Sequence, residues 1–243
     1  MNFRVLTYLA MATLSLFAAS ALVAAETQEP VPRNDRGWLE RHAAFNKQAQ
    51  AGGYNVVFLG DSLTHAWELR GKDVWAQKIA PLRAVNFGIS GDQTRHVLWR
   101  LQNGNLDGRG DPRVIVLMAG TNDTGDSHGK IKTEDLAANV KTLLDEIRKR
   151  KPRAKILVLG IFPRGANPDD KYRKKNEAAN ALIAKFADNK SIFFRDIGKV
   201  FLEPDGTASR KIFYDSLHLT KDGYERWADA VVPEIKKLIT QAP

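Results

Sequence analysis

The chain has 243 residues, 43% hydrophobic and 27% charged, proportions that exclude wholesale disorder, collagen-like repeats and a multi-span membrane protein. It has no cysteine, which excludes disulfides, thiolate zinc sites, a cysteine nucleophile and a lipid anchor built on cysteine. Its 37 Lys and Arg against 28 Asp and Glu give +9, a balance that permits polyanion binding without requiring it.

Residues 1–25 carry a single charged side chain, Arg4, ahead of a mostly apolar run from Val5 to Ala21, and close on Val23-Ala24-Ala25. The pattern predicts a secretory signal peptide cleaved after Ala25, hence a periplasmic or extracellular protein with no stable membrane anchor. Residues 26–243 read as one domain. Its first ten residues form a loose, Pro-containing leader, and Trp38, His42 and Phe45 then lie on one helical face.

Five apolar runs follow: Tyr54–Leu59, Arg83–Phe87, Arg113–Ala119, Lys155–Ile161 and Ser191–Arg195. None alternates cleanly, as expected of strands buried on both faces of a parallel sheet. Helical spacing separates them. Leu136, Val140, Leu143, Leu144 and Ile147 recur behind Thr133, a candidate cap followed by Glu134 and Asp135. Ala179, Leu182, Ile183 and Phe186 repeat the pattern, as do Trp227, Val231, Ile235 and Leu238, with Pro233 expected to kink or restart that last helix. Alternating strands and helices predict an α/β fold with helices on both faces of the sheet. The basic runs Arg148 to Lys155 and Lys171 to Lys175 are expected on a solvated face. Only Tyr172 interleaves them, too few aromatics to stack nucleic acid, so no nucleic-acid partner is expected.

Ligands of such sheets bind beyond the carboxyl ends of the strands. The first three runs exit into Gly60-Asp61-Ser62-Leu63, Gly88-Ile89-Ser90-Gly91-Asp92 and Gly120-Thr121-Asn122-Asp123. Near the C-terminus lies Asp215-Ser216-Leu217-His218. A serine hydroxyl needs a base, which His218 supplies for Ser62, and Asp215 three residues earlier can orient the imidazole. Candidate donors for an oxyanion hole are the Ser62 and Gly88 backbone N–H groups and the Asn122 amide. Taken singly, each piece also reads as a turn, a cap or a structural histidine; the constellation points to catalysis. His42, His65, His96 and His128 read as core or surface, with His65 facing away from Ser62. No metal or other cofactor is expected. The sequence Gly60-Asp61-Ser62-Leu63-Thr64 lacks the G-x-S-x-G elbow, which argues against an ordinary α/β-hydrolase.

These four blocks resemble those of the SGNH (GDSL-type) hydrolases. Within that family, the stretch Asn86 to Leu101, Ile161-Phe162-Pro163-Arg164-Gly165 and Leu217-His218-Leu219-Thr220 are similar to the catalytic subunits of intracellular platelet-activating factor acetylhydrolase. The resemblance implies a three-layer α/β/α sandwich with a five-stranded parallel sheet in flavodoxin-like order. It implies Ser62 as nucleophile, the Asp215–His218 pair, Gly88 and Asn122 in the oxyanion hole, and metal-free hydrolysis of short esters, often acetyl. Leu63, Thr121 and Leu217 adjoin the reacting groups and are expected to wall the acyl pocket. Export argues against a phospholipid and, by analogy, for acetylated carbohydrate. The expected partner is thus a small-molecule or glycan-linked ester, with a homodimer left open. The alternatives are a lysophospholipase or thioesterase of the same fold, or a non-catalytic polyanion-binding module.

Overall fold

A computed structural model describes residues 26–125 and 131–241. The signal peptide expected at 1–25, and His128, lie outside these residues. Strands β1 (Val56–Gly60), β2 (Ala84–Gly88), β3 (Val114–Met118), β4 (Lys155–Leu159) and β5 (Ile192–Arg195) form one parallel sheet in the order β2-β1-β3-β4-β5. This is the flavodoxin-like order. β3, β4 and β5 fall inside the apolar runs, and β1 and β2 overrun theirs by one residue, Gly60 and Gly88. Their side chains alternate between two cores, Val57, Leu59, Ile115 and Leu117 on one face, Val56, Phe58, Val116 and Met118 on the other. Both faces are covered, so no polar alternation is left in the sequence.

Helices α1 (Arg36–Ala51), α4 (Thr94–Arg100), α6 (Thr133–Arg150) and α7 (Lys171–Ile183) cover the first face. The second is covered by α2 (Ser62–His65), α3 (Lys72–Val74) and α8 (Lys221–Thr240), while α5 (Thr121–Thr124) is a single turn after β3. On α1 the predicted face is the buried one, with Trp38, His42, Phe45 and Ala49 turned inward.

Four local expectations are corrected. Thr133 is the first residue of α6 rather than its cap; Lys132 stands at the cap position without a side-chain bond, and Glu134 and Asp135 supply the negative charge in the first turn. Pro233 sits inside an unbroken α8, on its outer side. The carbonyl it leaves without a partner belongs to exposed Asp229, where water can reach it. The leader is not loose: Glu26 and Gln28 donate backbone N–H groups to Asp135 Oδ1 and Asn139 Oδ1 of α6, each at 2.9 Å. Nor are the basic runs wholly solvated. Lys151 is buried and donates to the Gly110 carbonyl, and buried Arg173 donates to the carbonyls of Arg164, Gly165 and Gly206. Arg173 thereby ties together the loops after β4 and β5.

Candidate active site

The exit of β1 turns sharply into α2. Asp61 caps that turn, its Oδ1 accepting the Leu63 N–H at 3.0 Å, and Ser62 becomes the first helical residue. Gly60 admits the turn because a Cβ there would lie 2.3 Å from the Met118 carbonyl oxygen. Asp61 is fully buried, and its Oδ2 has no hydrogen-bond partner among the described residues. Burial pushes its carboxyl up to about 7; the Leu63 N–H opposes this, and the nearby Asp92 and Asp123 charges add to it.

At the exit of β2 the backbone runs against α2. A Cβ on Gly88 would lie 2.3 Å from the His65 backbone nitrogen, so only glycine fits this approach. The Gly88 N–H, expected in the oxyanion hole, instead donates to Asn86 Oδ1 at 2.9 Å. The other end of the Asn86 amide donates to the Thr64 carbonyl at 2.9 Å, locking β2 to α2. Gly88 is therefore a packing residue here, and its N–H is already bonded. His65, read as turned away from Ser62, accepts from the Ser90 backbone N–H and faces its hydroxyl, with Nδ1 2.9 Å from Oγ.

After β3, Gly120 takes φ +130°, a conformation L side chains rarely adopt. Asn122 follows on α5 and is half-buried. One of its side-chain N–H groups donates to the Asp92 carbonyl at 2.8 Å, leaving the second as a donor. Asp123 is buried and accepts from the Thr94 N–H and hydroxyl; burial raises it to about 6 against those two donors.

The last block comes from a loop that closes on itself. Phe213 bridges to Leu219, and Tyr214 N–H donates to the His218 carbonyl at 3.1 Å. Ser216 takes φ +67° at the tip. Asp215 Oδ1 accepts the Leu217 and His218 backbone N–H groups, and Oδ2 lies 2.7 Å from His218 Nδ1. Burial acts to raise the Asp215 carboxyl, but these bonds outweigh it and hold it below the usual range. His218 Nε2 lies 3.0 Å from Ser62 Oγ. Hydroxyl, imidazole and carboxylate stand in line, and the candidate donors are the second N–H of Asn122, which has no partner among the described residues, and the Ser62 N–H at the start of α2.

The acyl-pocket expectation holds accessible surface at one residue only. Leu63 is 0% exposed and packs into the second core, and Thr121 is 1% exposed; Leu217 remains half-buried. The next residue along a helix lies about 100° round its axis, and here that rotation points Leu63 into the core. Sequence reasoning missed Asn86, the buried Asp92–Arg100 pair, and a stack in which the Tyr214 ring lies 5.7 Å from the His218 ring at 19° while the Arg70 guanidinium sits 3.7 Å from the Tyr214 centroid. Tyr214 immediately precedes Asp215, an adjacency that could have flagged it.

A hydroxyl bonded to an imidazole that is itself bonded to a carboxylate can attack an acyl carbon and return the proton to a leaving alcohol. The fold and this arrangement define a carboxylic ester hydrolase built on a flavodoxin-order sheet. The chain belongs to the GDSL-like lipase/acylhydrolase family, whose model matches residues 58–226. It is 35% identical over 210 residues to platelet-activating factor acetylhydrolase IB subunit alpha1 of Bos taurus, covering 86% of this chain and 87% of that one. The fold is shared with a GDSL-like lipase from Bacteroides thetaiotaomicron (TM-score 0.67, 22% identity, 82% and 97% of the two chains). It is also shared with the acetylxylan esterase Axe2 from Geobacillus stearothermophilus (TM-score 0.59, 18% identity, 78% and 95%).

Proposed function

We propose that this chain is an exported serine esterase that removes short acyl groups, acetyl foremost, from acetylated carbohydrate. Ser62 Oγ attacks the ester carbonyl carbon while His218 Nε2 takes its proton. The oxyanion that forms is held by the second N–H of Asn122, the one not bonded to Asp92, and by the Ser62 N–H. As the tetrahedral adduct collapses, the ester C–O bond breaks and His218 gives its proton to the departing alcohol, leaving acyl-Ser62. Water then attacks the acyl-enzyme with His218 again as base, and the carboxylic acid leaves as Ser62 regains its proton. Asp215 keeps the imidazole in the tautomer that presents a lone pair to Ser62 and offsets the charge it acquires. Gly88 is left out of the oxyanion hole because its N–H is bonded to Asn86.

The observation that carries this reading is the pair of contacts at His218, 3.0 Å to Ser62 Oγ and 2.7 Å to Asp215 Oδ2. Support for the acyl group comes from relatives named as an acetylhydrolase and an acetylxylan esterase. Carbohydrate is favoured by the second of these names together with the signal peptide expected at 1–25. The test is kcat/KM on acetylated xylo-oligosaccharides, a 2-acetyl glycerophospholipid, and p-nitrophenyl acetate, butyrate and octanoate. Acetyl over octanoyl and carbohydrate over lipid is the expected order. A best rate on octanoate would remove the acetyl assignment, and a best rate on the phospholipid would remove the carbohydrate. Labelling by a fluorophosphonate that survives Ser62→Ala would remove Ser62 as the nucleophile.

A further inference from the structure

Behind the oxyanion donors lies an ion pair that plays no direct part in the chemistry. Arg100 Nε meets Asp92 Oδ2 at 2.8 Å, and both side chains are 0% exposed. The other nitrogens of Arg100 donate to Asn105 Oδ1 at 2.6 Å and to the Gly60 carbonyl at 3.3 Å, one residue before Asp61. The remaining carboxylate oxygen of Asp92 accepts the Trp38 indole N–H at 2.7 Å, with Arg33 farther off at 3.8 Å. The Asp92 backbone carbonyl, at the end of the turn Ile89 to Asp92, is the group that holds Asn122. A single buried cluster thus joins the exits of β1, β2 and β3. Its indole donor comes from α1, ahead of residue 58 where the family match begins.

An asparagine amide rotates broadly about its last torsion, so its free N–H points where the bonded one is anchored. A donor displaced by about 1 Å loses much of its value for a developing charge. We infer that Trp38, acting through the Asp92–Arg100 pair, sets the direction of the Asn122 amide, so that the N-terminal helix completes the oxyanion-stabilising half of the site. Trp38 and Arg100 are positioning residues. This inference rests on the reading of Asn122 as an oxyanion donor.

The test is a double-mutant cycle on the full chain, read as kcat and KM for p-nitrophenyl acetate. Trp38→Phe removes the N–H. Replacing Trp38 with benzothienylalanine removes the same N–H at unchanged ring shape, and keeps the test intact if the phenylalanine variant misfolds. Each should lower kcat about tenfold, within the range by which residues along such networks modulate a distant site. KM should stay within about twofold, because ground-state binding is untouched. In an Asn122→Ala background the same changes should cost less than about twofold, because the group they position is gone. A full effect in both backgrounds, or no effect of the isosteric analogue on kcat, overturns the inference. If Asn122→Ala alone loses almost nothing, the oxyanion reading falls and takes the inference with it, an outcome distinct from the first two.

Discussion

Asp61, Asp92 and Asp123 follow three neighbouring strands and are fully buried, whereas Asp215 keeps 40% of its side-chain surface and His218 keeps 26%. The strand-exit half of the site is fixed by long-range bonds: Asn86 to α2, Asn122 to Asp92, Arg100 to Gly60. The loop half is fixed chiefly by bonds within six residues, from Asp215 to its own backbone and from Tyr214 to His218, with one long-range anchor, the Gly165 N–H donating to the Ser216 carbonyl at 2.8 Å. The difference follows from what each half must do. Donors that stabilise a developing charge act best when they cannot relax, so they are set in buried structure. A base that passes a proton to a leaving alcohol must meet both Ser62 and the departing group, so it stands at the accessible rim. If the comparison is sound, the two halves should fail in different ways.

The largest effect belongs to the point where the halves meet. Ser62→Ala removes the hydroxyl through which the strand exits meet His218, and kcat should fall by about 10⁴-fold or more with the circular dichroism spectrum unchanged. Retained turnover would place the nucleophile elsewhere. Next comes the loop half. Asp215→Asn keeps an oxygen for the Leu217 and His218 N–H groups but presents the ring with an amide, so the loop should persist while the imidazole takes the wrong tautomer. A loss of about 10³- to 10⁴-fold in kcat is expected, with unchanged Tm. A drop in Tm of the same size as that of an unfolded loop would mean that Asp215 acts chiefly as a turn residue. In the strand-exit half, Asn122→Ala should slow turnover by about 10²- to 10³-fold, the usual loss of one oxyanion donor. A change below about threefold would remove it from the hole.

Smaller is the effect expected of the stack outside His218. Tyr214→Ala takes away the ring that lies against the imidazole, and Arg70→Ala the guanidinium that covers that ring. Each should lower kcat about fivefold, in line with the 0.5–1.5 kcal/mol of an aromatic contact, while Tyr214→Phe keeps the stack and should stay near the native rate. Equal losses in Tyr214→Phe and Tyr214→Ala would assign the role to the hydroxyl instead.

The parallel sheet could be read from the chain because strands covered on both faces are apolar throughout, and runs such as Arg113–Ala119 need no partner to be recognised. The blocks at the strand exits could be read because Gly60, Gly88 and Gly120 mark turns and close approaches, and because Asp215 and His218 are local to each other. What could not be read depends on partners far apart in sequence. Trp38 meets Asp92 across 54 residues and Tyr224 donates to the Leu63 carbonyl across 161, and no spacing rule announces either. The direction of a single N–H, as at Gly88, is likewise set by a neighbour's side chain. Leu63 shows the same limit from the other side: adjacency to Ser62 suggested a pocket wall, whereas the helical turn carries it into the core.

The smallest effect concerns stability and separates the halves by pH. Asp61 is raised to about 7 in the folded chain by burial, whereas an unfolded aspartate titrates near 3.9. Between about pH 4 and 7 the folded state therefore binds more protons at this site than the unfolded state, and its contribution to stability falls as pH rises through that window. Asp215 works in the opposite sense, since its carboxyl is held below the usual range and its contribution is lost on acidification. Asp61→Asn keeps the acceptor for the Leu63 N–H but cannot ionise. Its Tm relative to the native chain should rise by several degrees between pH 5 and 8, as about 2–3 kcal/mol of the native penalty accumulates there, most of it below about pH 7. Other titrations cancel in that difference because both proteins share them. A difference that stays flat, or falls, across the window would show that Asp61 is ionised without cost in the folded chain and that the strand-exit half is not as dry as its burial indicates.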